Sequence, residues 1–121
     1  MATIKEDYVS FETAKLLKEK GFDEPTIGTY NIESKNPILI ERPIRAIHCE
    51  AIISAPTLQM AMKWLRGVHH IFLSIQQHMD MSYVWYAYKD GFAKGCDRES
   101  HNNTYEQACE AAIKYGLKNL I

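Results

Sequence analysis

A chain of 121 residues, 46% apolar and 24% charged, can build one domain with a real core and has an ordinary globular composition. Its formal net charge of -1 supplies no global field to recruit nucleic acid or anionic lipid. No apolar run approaches a membrane span and the N-terminal MATIKEDY lacks an apolar signal core, so a cytoplasmic protein without membrane contact is expected.

Residues 1–8 are polar. Ser10 is a good N-cap, and Phe11, Ala14 and Leu17 then recur at helical spacing. Gly21 suits the left-handed position after the last turn, with Phe22 placed to fold back on Leu17. Glu12 near the start and Lys18 and Lys20 near the end suit the helix dipole. The pattern predicts a helix over Ser10–Lys20. Beyond it, Pro25, Pro37 and Pro43 interrupt any long element. Asp23–Asn36 reads as a surface loop with room for a short strand near Tyr30–Ile32. Ile38–Ile40 and the run Ile44–Ile53, where Ile47, Cys49, Ala51 and Ile53 alternate, suggest strands.

The stretch Ala55–Phe72 reads as a helix running into a strand. Pro56 suits a first turn, which puts the N-cap at Ser54 or Ala55. Leu58, Ala61, Met62 and Leu65 form one stripe, with Gln59, Lys63, Arg66 and His70 as a narrow polar stripe beside it. Met60 and Trp64 widen the apolar arc, so the helix must be covered on more than one side. Gly67 is expected to end it, giving a helix over Pro56–Arg66. Strands are predicted over His70–His78 and Tyr83–Tyr88, joined by a turn at Met79-Asp80-Met81-Ser82. In the second, Tyr83, Trp85 and Ala87 face one way and Val84, Tyr86 and Tyr88 the other. Lys89–Asn103 is polar, with Phe92 and Ala93 as a short third strand. Thr104 with Gln107 is a capping box that opens a last helix, Tyr105–Asn119. Its Ala108, Ala112 and Gly116 permit close approach to a neighbour. Glu106, Glu110, Lys114 and Lys118 run down its outer side, acids first. The expected fold is α+β: an N-terminal helix, then helix, two or three antiparallel strands and helix, around a small sheet of about three strands.

Two resemblances accompany this reading. Over residues 55–121 the element order resembles the double-stranded RNA-binding domain, and Thr104, Ala108, Ala111, Ala112, Lys114, Leu117 and Leu120 match that family's alanine-rich last helix. The resemblance implies two helices on one face of a three-stranded sheet. It does not carry over the family's phosphate-gripping basic cluster, because Tyr105 and Glu106 stand there; tight binding of duplex RNA is not expected. The blocks VSFETAKLLKEKGFDEP, SAPTLQMAMKWLRGVHHIF and TYEQACEAAIKYGLKNLI are similar to a group of small proteins of Bacteroides-type gut bacteria and their phages. The stretches between the blocks are not matched. That likeness implies a phage or mobile-element context and transfers no activity and no site residue.

Chemistry-bearing motifs are sparse. His48, Cys49, His69, His70, Cys96 and His101 lack paired metal-ligand spacing, and adjacent His69 and His70 point apart in a strand. Cys49, Cys96 and Cys109 are too few for a disulfide framework, and Cys109 falls on an apolar helix face. Cys96 in KGCDRESH has Asp97, Glu99 and His101 nearby, but a loop holds catalytic geometry poorly. No phosphate loop or dinucleotide fingerprint is present. An enzyme is therefore the least favoured class, and no cofactor or metal is expected. The strongest feature is aromatic. Trp85, Tyr86 and Tyr88, with Lys63 and Arg66, form a candidate stacking surface for nucleic acid. Met60, Trp64, Tyr83 and Trp85 form a candidate interface for a second copy or another protein. The favoured expectation is a self-associating, phage-related interaction or accessory protein. A nucleic-acid-binding module is the alternative.

Overall fold

The computed structural model describes residues 7–44, 51–97 and 102–121. The fold is α+β, with three helices and two three-stranded antiparallel sheets. The chain divides into two compact units, Met1–Met60 and Ala61–Ile121. No helix among the described residues is long and apolar enough to cross a membrane.

In the first unit, α1 spans Phe11–Glu19. The Ser10 hydroxyl caps it by accepting from the Thr13 N–H at 3.3 Å. Its end takes the form expected at Gly21, whose φ is 92°. The Phe22 N–H donates to the Leu17 carbonyl and the Gly21 N–H to the Lys18 carbonyl, so the last turn's carbonyls are satisfied. The sheet has the order β2-β1-β3, with β1 at Thr26–Asn31, β2 at Pro37–Ile44 and β3 at Ile52–Ser54. The strand β1 corrects the expected loop over Asp23–Asn36. Its Gly28 admits close neighbours: a Cβ there would lie 2.5 Å from the Ala55 carbonyl oxygen and 2.6 Å from the Tyr8 ring. That packing involves residues remote in sequence, and a local pattern cannot show it. Between Thr26 and Gly28 the register slips, since Thr26 pairs with Ile44 but Gly28 with Leu39. The Tyr30 hydroxyl donates to the Val9 carbonyl at 2.7 Å, and its ring meets Phe11 edge-on, which ties the start of α1 to the sheet. The expected alternation from Ile47 to Cys49, with His48, lies outside the described residues.

The helix α2 spans Leu58–His69 and differs from expectation at both ends. It starts two residues later because residues 7–9 claim its approach. The Val9 N–H donates to the Pro56 carbonyl, the Leu58 N–H donates to the Asp7 carbonyl, and Tyr8 bridges Thr57. The cap is therefore Thr57, whose hydroxyl accepts from the Met60 N–H at 3.1 Å, and not Ser54 or Ala55. The helix also runs through Gly67, the expected stop. Glycine permits a stop without compelling one. The left-handed residue is His70, φ 56°, whose carbonyl accepts from the Asp90 N–H as strand pairing begins.

In the second unit, β4 (Ile71–Gln77), β5 (Tyr83–Lys89) and β6 (Phe92–Cys96) form a sheet in chain order. β4 and β5 pair without a slip from Ile71 opposite Lys89 to Gln77 opposite Tyr83. Asp90 and Gly91, φ 52° and 86°, make the tight turn into β6. α3 spans Tyr105–Asn119, as the capping box indicates. The Thr104 hydroxyl accepts from the Gln107 N–H, and the Gln107 side chain accepts from the Asn103 N–H. This helix packs on β4 and β5. At Gly116 a Cβ would sit 3.6 Å from Ile71 and 3.7 Å from Leu65 of α2, ordinary van der Waals contact. Leu65, Ile71, Ile113 and Leu117 are all fully buried.

Candidate interaction surface

Pairing and alternation decide which aromatic side chains of β5 are available. Trp85 and Ala87 point to α3. The Trp85 ring lies 4.9 Å from that of Tyr115, and only 7% of the residue is exposed. Gly95, opposite Ala87 on β6, leaves the room this needs, since a Cβ there would overlap the Tyr115 phenol. The Tyr115 hydroxyl donates to the Lys94 carbonyl at 3.1 Å. Tyr83 meets Tyr105 edge-on at 6.1 Å, and its hydroxyl accepts from the Gln77 side chain. The Lys89 ammonium donates to the Leu120 carbonyl, placing a cation at the end of α3 where the dipole favours it.

The opposite face carries Phe72, Ser74 and Gln76 of β4 against Tyr88, Tyr86 and Val84 of β5. Val84 is buried, Tyr86 and Tyr88 are half-buried, and Phe72 is 51% exposed. The Phe72 and Tyr88 rings are 6.2 Å apart and tilted by 47°, so they form one contiguous aromatic patch. Next to this sheet's first hairpin lies a second apolar feature. Met79 and Met81 project from the tip into solvent. The tip is built to hold its shape: the Asp80 carboxylate accepts from the Ser82 N–H and hydroxyl, and Met81 takes a φ of 71°.

The two residue sets expected from sequence are not assembled as such. Lys63 and Arg66 are exposed on α2, Tyr86 and Tyr88 lie on the outer sheet face, and Trp85 lies on the inner one. A ring packed beneath α3 offers no face to a base, so Trp85 leaves the stacking set. It leaves the interface set for the same reason. Trp64 is only 8% exposed and packs against His69 at 4.7 Å, which removes it as a surface anchor. Met60 and Tyr83 are half-buried. The sequence pattern does not single out Phe72; the register places it opposite Tyr88 on this face, where it is 51% exposed.

Among the described residues no group of three or more His, Cys, Asp or Glu side chains could hold a metal ion. Cys96 is half-buried beside the outer face, while Glu99, His101, His48 and Cys49 lie outside the described residues. Burial pushes the Cys109 thiol up to about 11, which makes it a poor nucleophile. In the first unit a cleft of about 300 Å³ opens where β2 slips, bordered by Tyr8, Tyr30, Pro37, Ile38, Leu39 and Ala55. Its described lining residues carry no carboxylate, imidazole or amine; their polar side chains are the phenols of Tyr8 and Tyr30 and the hydroxyl of Thr29. No family model, no curated protein and no solved structure matches this chain.

Proposed function

We propose that this chain is a non-catalytic interaction protein that self-associates in the cytoplasm through the outer face of β4-β5-β6. The observation that carries the reading is the Phe72–Tyr88 pair, half-open to solvent on an unslipped ladder whose other face is covered by α3. A rigid aromatic patch supplies contact area at small cost in side-chain entropy. A two-fold pairing of identical patches is the default way to cover it. An accessory role in a phage or mobile element rests on the three resembling sequence blocks. The element order α2-β4-β5-β6-α3 is in keeping with the likeness to the double-stranded RNA-binding domain. Duplex RNA is still not the proposed ligand, since Glu106 in the first turn of α3 would repel phosphate.

Light scattering at micromolar concentration tests this. The expected particle has twice the 13.9 kDa chain mass, and Phe72→Glu returns it to one chain. A single-chain particle for the unsubstituted protein overturns it. Single-stranded nucleic acid stacking on Tyr86 and Tyr88 is the competing reading. It predicts salt-dependent binding that Tyr88→Ala weakens. The burial of Trp85, the third ring of that set, against Tyr115 of α3 disfavours it.

A further inference from the structure

We propose that His69 makes the joint between α2 and β4 responsive to acid: a proton on its imidazole drives the ring from beside Trp64 and loosens the end of the helix. His69 is the last residue of α2, and the left-handed His70 turns the chain directly into β4. The ring is half-buried, and its Nε2 is wholly covered and has no hydrogen-bond partner among the described residues. Its edge-on contact with Trp64, 4.7 Å between centroids and 72° between planes, fixes the ring at this corner. A neutral imidazole tolerates such a site, because one nitrogen can remain an unprotonated acceptor. An imidazolium must carry N–H on both nitrogens, and the covered one would donate to nothing.

The charges around this corner add to the effect. The Lys89 ammonium of β5, held by the Leu120 carbonyl, and the neighbouring His70 both oppose a positive charge on His69. Burial is the largest cause and these two come after it; together they lower the affinity of His69 for a proton below the ordinary imidazole value of 6.5. The folded joint therefore favours the neutral ring. The stability it contributes is complete above about pH 6.5 and is lost as the pH falls through the depressed folded value.

Tryptophan fluorescence between pH 8 and pH 5 tests this, together with proton NMR titration of the histidine rings. The expected result is a reversible change in tryptophan emission with a midpoint below 6.5, and faster amide exchange in the last turn of α2. His69→Phe keeps a ring against Trp64, lacks the titrating nitrogen, and should abolish the change; His70→Gln and His78→Gln should retain it. A change that persists in a folded His69→Phe overturns the proposal. If that variant does not fold, the unsubstituted chain decides. An NMR midpoint at or above 6.5 for His69 means the helix end and the indole hold the cation instead. That result, or a His69 titration with no response in the Trp64 indole signal, overturns the proposal too.

Discussion

The two sheets of this chain have the same number of strands, and the β4–β5 pairing of one and the β1–β2 pairing of the other have opposite characters. β4 and β5 face each other through seven successive pairs, whereas β1 and β2 slip after one. In the first half of β4, burial alternates with the strand period, from Ile71 in, to Phe72 out, to Leu73 in. In β2, Pro37, Ile38 and Leu39 are all exposed, with Leu39 at 67%. The difference teaches that alternation along a strand is a record of what covers it. With α3 on one face, a one-residue slip of β5 would turn Trp85 and Ala87 out to water, so register is strongly specified. β2 is an edge strand with exposed apolar side chains, and Pro37 within it limits further pairing at that edge.

Substitutions can break or sharpen this contrast. The largest effect is expected at Leu65→Ala, which removes a fully buried side chain beside Gly116. It should cost about 2–5 kcal/mol in chemical denaturation, as buried leucine truncations do. A loss under about 0.5 kcal/mol would show that α2 and α3 are not packed as described. Next comes Gly28→Ala in the slipped sheet. The new methyl would meet a backbone carbonyl, that of Ala55, which cannot swing aside. A cost of roughly 1–3 kcal/mol is expected, with amide protection falling in β1 and β3. Gly95→Ala is the matched substitution in the second sheet, where the β5–β6 pairing slips between Ala87 and Tyr88, and should be milder. Its obstacle is the tip of the Tyr115 side chain, which can move at the expense of the bond to the Lys94 carbonyl, about 0.5–1.5 kcal/mol. Equal costs at Gly28 and Gly95 would show that the Ala55 carbonyl yields as readily as the Tyr115 side chain. The smallest effect has the opposite sign. Gly67 is exposed within α2 and a Cβ there meets nothing within 4 Å, so Gly67→Ala should stabilise by about 0.5–1 kcal/mol, read as a raised Tm.

Elements whose signals are local can be read from the sequence. α3 is legible from Thr104 and Gln107, and α1 from Ser10, Gly21 and Phe22, because caps are bonds among near neighbours. β4 and β5 are readable within a residue because Ile71, Leu73 and Ile75 recur at strand spacing and Tyr83–Tyr88 consists almost wholly of strand-favouring residues. β1 is not, since TIGTYN carries a glycine whose purpose is contact with Tyr8 and Ala55. The start of α2 escapes a local reading because residues 7–9 decide it. Asp90-Gly91 is a different case: this dipeptide is itself a tight-turn signal, and giving it its weight extends the short strand at Phe92 and Ala93 to the whole of β6. The candidate surface is half-readable. Alternation separates Trp85 from Tyr86, but only the seat of Tyr115 over Gly95 says which of them is inside.

The methionines of the first hairpin give the molecule an uneven susceptibility to oxidants. Met79 and Met81 stand in solvent, whereas Met62 is buried in α2. Dilute peroxide should convert the two tip thioethers to sulfoxides long before it reaches the core. At Met81 the added oxygen would be a stronger acceptor for the Gln77 amide, which the sulfur now engages at 3.6 Å. The hairpin would keep its shape and exchange an apolar tip for a polar one, a change that methionine sulfoxide reductases can reverse.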